Sequence, residues 1–116
     1  MSRARFFAVI AASSVLLSAT AQAEVDKKTE RLWKANCASC HGATGKADTE
    51  QGQKMKIADM TSPAFQAKKD DEWRNAILNG VKTQTGGVTQ QMDGFKDQLT
   101  PDQVNALIAY VRTFKS

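Results

Sequence analysis

Two cysteines and a histidine are the residues of this chain best suited to bind a cofactor, and they lie together in Cys37-Ala38-Ser39-Cys40-His41. A Cys-x-x-Cys-His sequence is typical of covalent haem attachment, in which each thiol adds to one vinyl group of the porphyrin. The histidine that follows then binds the iron as its proximal ligand. The chain contains no other cysteine or histidine, so no second site competes for this assignment.

The same cysteine pair has three other interpretations: a structural disulfide, a thioredoxin-like redox pair and part of a zinc site. In an oxidising compartment a lone Cys-x-x-Cys pair is usually a disulfide, and the adjacent His41 is what argues for haem. A thioredoxin-like pair is expected near a βαβ pattern at the start of a helix, whereas here a predicted helix precedes the motif. A closed tetrahedral zinc shell needs a further Cys or His, which the sequence does not contain.

An iron bound by His41 has a second axial position, for which the residues leave several candidates. These candidates are Met55, Met60, Met92, a lysine, water or no ligand. Since His41 is the only histidine, ligation by two histidines is excluded. Met92 lies in a glycine-flanked segment between two predicted helices and is free to fold over the opposite haem face, so we favour it over Met60. Met55 and Met60 fit better as apolar residues that fill gaps in a core.

The predicted elements on either side of the motif begin with a helix. The polar run Asp26–Asn36 contains neither Gly nor Pro and carries two large apolar residues near its end, which predicts a helix that leads directly into Cys37. From Gly42 to Pro63, glycines and polar residues predict a loop with one helical turn around Lys54–Asp59.

A second helix is predicted in the middle of the chain. Three consecutive acidic residues from Asp70 favour a helix N-terminus, and the apolar spacing that follows predicts a helix that ends at Asn79. Trp73 on this helix is predicted to belong to the core. Its indole N–H could reach a haem propionate, because a buried tryptophan usually finds a hydrogen-bond partner.

The C-terminal helix has the clearest boundary, because Thr100 and Gln103 form a capping box and Pro101 suits a first turn. Its apolar stripe, which we expect to pack against the N-terminal helix and the haem, consists of Val104, Leu107, Ile108, Tyr110, Val111 and Phe114. The segment Val81–Leu99 before this helix predicts a loop. We detect no alternating strand pattern, so the predicted fold class is all-α.

Residues 1–23 have the composition of a cleaved secretory signal peptide. Arg3 and Arg5 form a positive n-region, a short apolar stretch follows, and Ala21-Gln22-Ala23 provides the small residues of a cleavage site. Cleavage leaves residues 24–116 as one small domain, in which a haem would supply apolar surface that so short a chain lacks. Without the two arginines the formal net charge falls from +4 to +2, which gives no reason to expect nucleic-acid binding, and no later segment is apolar for long enough to anchor in a membrane.

Taken together, these motifs resemble the class I cytochromes c, small soluble single-haem proteins of bacteria that include the cytochrome c6-like branch. The resemblance rests on Cys37–Gly42 after a helix, on Gln91–Phe95 around a methionine, and on Leu99–Val104 at the start of the last helix. In addition, Trp33 and Tyr110 match aromatic positions where the two terminal helices cross in this family. The resemblance covers nearly the whole chain after the signal peptide.

The resemblance implies three to four helices wrapped around one covalently bound haem, with the N- and C-terminal helices packed together. It also implies thioether bonds at Cys37 and Cys40, proximal ligation by His41 and distal ligation by Met92. Members of the family commonly have a proline in the loop after the attachment motif, where this chain has none before Pro63. The backbone carbonyl that accepts a hydrogen bond from the outer nitrogen of His41 is therefore left open.

The function implied by the resemblance is the transfer of single electrons between redox protein donors and acceptors. The expected protein is a monomer in the periplasm, with a thylakoid lumen-like compartment less favoured, and it is not an enzyme in its own right. Two alternatives stay open: a haem subunit of a specific redox complex, and a ligand-binding or catalytic haem protein with an open distal position. A haem-free thiol–disulfide protein is the last alternative.

Overall fold

The computed structural model describes residues 18–114, with side-chain positions from residue 27 onward. Its elements along the chain are α1 (Ser18–Asn36), α2 (Ala38–His41), α3 (Glu50–Lys54), α4 (Pro63–Gln66), α5 (Asp70–Asn79), β1 (Val81–Thr85), β2 (Val88–Met92) and α6 (Pro101–Arg112). Residues 1–17 of the predicted signal peptide lie outside the described residues. Within residues 18–114 we find no helix that is both long enough and apolar enough to cross a membrane.

Helices α1 and α6 pack against each other, as the apolar stripe of the last helix predicts. The ring of Trp33 on α1 lies edge-on to Tyr110 and Phe114, with centroid distances of 5.9 and 5.1 Å. Val104 and Leu107 of α6 are buried almost completely, at 1% and 2% exposure. The buried cluster consists of Trp33, Trp73, Leu99, Val104, Leu107, Ile108, Val111 and Phe114. This core fixes the end of α1, which leads into the attachment motif.

Both helices of the second half are confirmed at their predicted N-termini. Helix α5 spans Asp70–Asn79, with three acidic residues in its first turn. At the start of α6 the backbone N–H of Gln103 donates to the Thr100 hydroxyl at 3.2 Å, and the Thr100 N–H donates to the Gln103 side chain at 2.9 Å. These two bonds are the reciprocal pair of a capping box.

The predicted all-α class needs one correction, because part of the segment Val81–Leu99 is a β-hairpin and not a loop. Strands β1 and β2 pair antiparallel, with Val81 opposite Met92 and Thr85 opposite Val88. The two residues between the strands, Gly86 and Gly87, have φ angles of 56° and 76°. Positive φ at both central residues is what a two-residue type I′ turn requires, and a Gly-Gly pair provides it.

The sequence did not predict the strands because β1 has no buried side chain. All five of its residues are exposed, so the sequence shows no hydrophobic alternation there. The available signal was the Gly-Gly pair flanked by threonine and valine, which favour strands.

Short helices also lie elsewhere than predicted in the region from Gly42 to Gln66. The expected turn around Lys54–Asp59 is wrong in its position, since α3 spans Glu50–Lys54. The helix starts earlier because the Thr49 hydroxyl accepts a hydrogen bond from the Gly52 N–H at 2.9 Å, which makes Thr49 its N-cap. Ser62 caps the unpredicted helix α4 in the same way.

Candidate functional site

The attachment segment consists of Cys37, which joins α1 to α2, and of the short helix α2 itself. The backbone N–H of Cys37 donates to the Trp33 carbonyl at 2.8 Å, and the N–H of His41 donates to the Cys37 carbonyl at 2.9 Å. Cys37 and His41 are therefore one helical turn apart and lie on the same face. Cys37 and Cys40 are not joined to each other by a disulfide bond.

Trp33 and Thr49 hold this segment from two sides. The Trp33 indole Nε1 donates to the Gly42 carbonyl oxygen at 3.0 Å, and its ring centroid lies 5.9 Å from that of the His41 imidazole. The Thr49 hydroxyl donates to the Cys40 carbonyl oxygen at 3.2 Å. The buried core at Trp33 and the N-cap of α3 thus fix the main chain on either side of the imidazole.

Burial sets the protonation of two of the predicted site residues. Burial, with a smaller contribution from the neighbouring Cys40, raises the pKa of the Cys37 thiol to about 11. Burial also lowers the pKa of His41, because a charged imidazolium loses its solvation there. His41 is therefore neutral at pH 7, the form in which an imidazole nitrogen binds a metal ion.

Two adjoining cavities, of about 280 and 390 Å³, open beside the attachment segment. Pockets that hold small ligands and cofactors measure roughly 300–1,000 Å³, so the second cavity alone lies in this range and the first lies just below it. The residues that line both cavities are Cys37, His41, Phe65, Val81, Met92 and Phe95. Cys40 lines the second cavity. The four residues predicted to bind the cofactor therefore lie around one continuous site.

Met92 reaches this site as the last residue of the hairpin. It pairs with Val81, the first residue of β1, and it is half-buried. Met60 lines only the first cavity and Met55 only the second, whereas Met92 lines both together with His41. Of the three methionines considered from the sequence, Met92 is therefore the one that shares both cavities with His41.

The main chain that follows Met92 lies against the C-terminal end of α5. The N–H of Phe95 donates to the Ile77 carbonyl at 2.8 Å, and a Cβ built on Gly80 would lie 2.8 Å from the Gly94 nitrogen and against the Met92 carbonyl oxygen. Gly80 also has a φ of 80°, which side chains rarely tolerate. A glycine is therefore required where the hairpin leaves the helix.

Trp73 forms part of the apolar wall of the first cavity, as its predicted place in the core implies. Its ring stacks on Phe65 at 5.2 Å between centroids, with an interplanar angle of 21°. The Arg112 guanidinium lies 3.7 Å from the ring centroid and donates from Nε to Asp70 at 2.9 Å. These contacts fix the orientation of the indole.

Two buried polar atoms have no hydrogen-bond partner among the described residues, Nδ1 of His41 and Nε1 of Trp73. Both residues line the first cavity. Buried polar atoms are nearly always paired, so these two suit a bound group that brings polar partners of its own. The site fits a c-type haem: the thiols can form thioethers, the imidazole can bind iron, the apolar walls can cover a porphyrin, and the indole N–H can meet a propionate.

Several residues of the site were not identified from the sequence. Val81 and Phe95 line both cavities but lie in a segment predicted to be a loop. Phe65 also lines both cavities and lies between Pro63 and Asp70, where no element was predicted. The signal for each of them was a single large apolar residue in a mostly polar segment. Gln90 lines the second cavity. The sequence gave no signal for it, because its place in the site depends on the register of the hairpin.

Comparisons with known proteins agree with this geometry. The sequence model of the family described as "Cytochrome c" matches residues 27–115. The Cbb3-type cytochrome c oxidase subunit FixP of Azorhizobium caulinodans is 32% identical over 87 residues, which are 75% of this chain and 26% of FixP. The chain therefore spans about a quarter of the length of this curated relative.

Two solved structures are similar over most of their length. The KustC0563 c-type cytochrome has a TM-score of 0.63 and 30% identity, with 76% of this chain and 98% of that chain covered. A point mutant of the same protein has a TM-score of 0.60 and 30% identity, with 75% and 98% covered.

Proposed function

The chain belongs to the cytochrome c family, whose members carry a covalently bound c-type haem, and on this premise we propose that it shuttles single electrons between larger redox proteins. The haem supplies the one-electron couple between ferric and ferrous iron. The polypeptide attaches this group, supplies its axial ligands and keeps water away from it.

In this proposal Cys37 and Cys40 form the thioethers, and His41 and Met92 are the two axial ligands. The observation that carries it is that His41 and Met92 line the same two adjoining cavities beside the Cys37 thiol. With both axial positions taken, no position is vacant for a substrate, which supports a carrier and not an enzyme. The soft thioether sulfur of Met92 favours the ferrous state and raises the reduction potential.

The apolar walls of the site should also raise the reduction potential, as the Met92 sulfur does. Leu99, Leu107, Ile108 and Val111 line the first cavity and are buried in the core. Apolar side chains exclude water and lower the local dielectric constant, which disfavours the state with the greater charge. Ferric iron has the greater charge, so the walls also raise the reduction potential.

We place the carrier in the periplasm as a monomer formed by residues 24–116 after removal of the signal peptide 1–23. This placement rests on the n-region, apolar stretch and cleavage-site residues of the sequence. The intact mass and the N-terminal sequence of the exported protein test it. We expect a mature chain that begins at Glu24 and carries one covalent haem, whereas an uncleaved chain in the cytoplasm would contradict the proposal.

A second candidate function is that of a haem subunit in a specific redox complex. The similarity to the oxidase subunit FixP favours this alternative, although it covers only 26% of that protein. Gentle purification from the native membrane and periplasmic fractions separates the two functions. A free shuttle is recovered alone at low salt, and a subunit is recovered in constant proportion to its partner.

Carbon monoxide binding by the ferrous protein tests the proposed ligation, because carbon monoxide needs a vacant axial position. We expect slow and weak binding by the native protein, and rapid binding by Met92→Ala. Equal and rapid binding by both proteins would contradict the carrier and support a haem protein with an open distal site.

A further inference from the structure

The hairpin that carries Met92 presents one face to the body of the molecule. In β2 the residues Val88, Gln90 and Met92 are half-buried, and the two residues between them are exposed. Side chains two positions apart on a strand share a face and are about 6.6 Å apart along it. Gln90 and Met92 therefore face the same side of the hairpin, and any group that holds Gln90 also restricts Met92.

Both the nitrogen and the oxygen of the Gln90 side-chain amide form hydrogen bonds. Its nitrogen donates to the Met55 carbonyl oxygen at 2.9 Å and to the Lys56 carbonyl oxygen at 2.7 Å. Its oxygen accepts a hydrogen bond from the hydroxyl of Thr83, the cross-strand neighbour of Gln90, at 3.1 Å. An amide group has two N–H hydrogens, so both of its donors are satisfied across a sequence distance of more than 30 residues.

The two acceptors lie where α3 ends. Lys56 has a φ of 50°, its N–H donates to the Gln53 carbonyl at 3.2 Å, and the Ile57 N–H donates to the Gly52 carbonyl at 3.0 Å. This pair of bonds is a Schellman motif with lysine in the left-handed position that glycine usually occupies. The carbonyls of Met55 and Lys56 lie beyond the last helical turn and need partners from outside the helix.

We propose that Gln90 is the positioning residue for Met92, because it clamps strand β2 to the end of α3 and so holds the methionine sulfur over the cofactor site. This inference rests on the proposed ligation by Met92. The base of the hairpin is fixed against α5 at Gly80 and Phe95, and at its tip the Lys56 ammonium reaches the Gly86 carbonyl only at 3.4 Å. The Gln90 amide makes the two short bonds between these ends, so its loss frees β2 to move away from the site.

The test compares Gln90→Ala with Gln91→Ala in the full-length ferric protein with its haem attached. Both variants lose the same side chain from the same strand. Gln91 also lines the second cavity, but it is exposed, and its amide donates to Asp93 at 3.5 Å and not to the carbonyls at the end of α3. The measured quantity is the rate of imidazole binding at saturating imidazole, which is limited by the departure of Met92 from the iron. We expect Gln90→Ala to raise this rate about tenfold, which corresponds to ~1.4 kcal/mol, and Gln91→Ala to change it less than about twofold.

Gln90→Glu provides a second variant of nearly the same size. Its carboxylate can still accept from the Thr83 hydroxyl but has no N–H for the two carbonyls, so we expect it to behave like Gln90→Ala. Far-ultraviolet circular dichroism and the thermal midpoint of each variant show whether the fold is retained.

Equal rates for the Gln90 and Gln91 variants, with the ferric iron-to-methionine charge-transfer band intact in all proteins, would overturn this inference alone. Absence of that band from the native protein would overturn the ligation by Met92 and this inference with it. The band and the rate thus distinguish the two failures.

Discussion

The two proposed axial ligands, His41 and Met92, are held by different kinds of structure. His41 is the last residue of α2, which begins two residues after the end of α1, and Trp33 of α1 is 3% exposed and packs on α6. Met92 ends a hairpin whose first strand is wholly exposed, and Gln90 joins that hairpin to α3 by hydrogen bonds. Regions with few buried contacts open at lower free energy than the core. The hairpin that carries Met92 should therefore open before the packed helices that hold His41.

The comparison predicts that the largest loss of stability will follow from a substitution in the packing between α1 and α6. Leu107 is 2% exposed, and its truncation to alanine should lower the free energy of unfolding by about 2–5 kcal/mol. Val88 on the hairpin is only half-buried, so Val88→Ala should cost less than ~1 kcal/mol. Urea unfolding of the two variants checks the difference. Equal losses would mean that the hairpin is as well packed as the helices.

A pair of glycine substitutions tests the hairpin at its base and at its tip. Gly80 and Gly87 have similar φ angles of 80° and 76°, but a Cβ on Gly80 meets the Met92 and Gly94 main chain, whereas a Cβ on Gly87 has nothing within 4 Å. Gly87→Ala should cost only the backbone strain, about 1–2 kcal/mol. Gly80→Ala should cost more and weaken the ferric charge-transfer band. An unchanged band in Gly80→Ala would show that the hairpin base does not set the position of Met92.

The free energy of unfolding should depend on pH through His41. Burial lowers the pKa of His41 in the folded state, so the unfolded chain binds a proton that the folded chain does not. The free energy of unfolding should therefore fall as the pH decreases below roughly 6.5, by at most ~1.4 kcal/mol per pH unit. Glu30 and Asp59 have lowered pKa values and titrate at lower pH. An imidazole nitrogen that is bound to iron cannot accept a proton either, so ligation by His41 acts with the same sign. Urea unfolding of the haem-bound protein at pH 7.0 and at pH 5.0 measures the slope, and equal stability at both values would contradict this account.

The smallest predicted effect concerns Trp73. Phenylalanine in its place keeps an aromatic ring on Phe65 but removes the unpaired Nε1–H. If that N–H neutralises part of a propionate charge, Trp73→Phe should lower the reduction potential by no more than about 59 mV, the equivalent of ~1.4 kcal/mol for one electron. Redox titration of both proteins checks this shift. The same potential in both would leave Trp73 with a packing role only.

The sequence predicted those parts of the fold that have local signals. The attachment motif is contiguous, and the capping box at Thr100 and Gln103 is formed by residues three positions apart. Helix α5 was predicted with its bounds because its acidic start and its end at Gly80 are adjacent to it. Each of these features depends on neighbours along the chain, which a single sequence displays directly.

The features that the sequence missed depend on contacts between distant residues. The hairpin has no buried first strand, so its hydrophobic pattern is absent and only the Gly86-Gly87 pair marked it. Gln90 contacts the end of α3 more than 30 residues away, and neither partner shows this in its local sequence. The position of Phe65 in the site likewise follows from how α4 packs on α5, which no periodicity predicts.

The most direct test of the proposed site is the visible spectrum of the ferric protein, measured for the native chain, Met92→Ala and Met60→Ala. Met60 is the matched control, because it lines only the first cavity. The account predicts a low-spin haem with the weak iron-to-methionine band in the native protein and in Met60→Ala, and loss of the band in Met92→Ala. A band that survives in Met92→Ala, or a high-spin native protein, would contradict it.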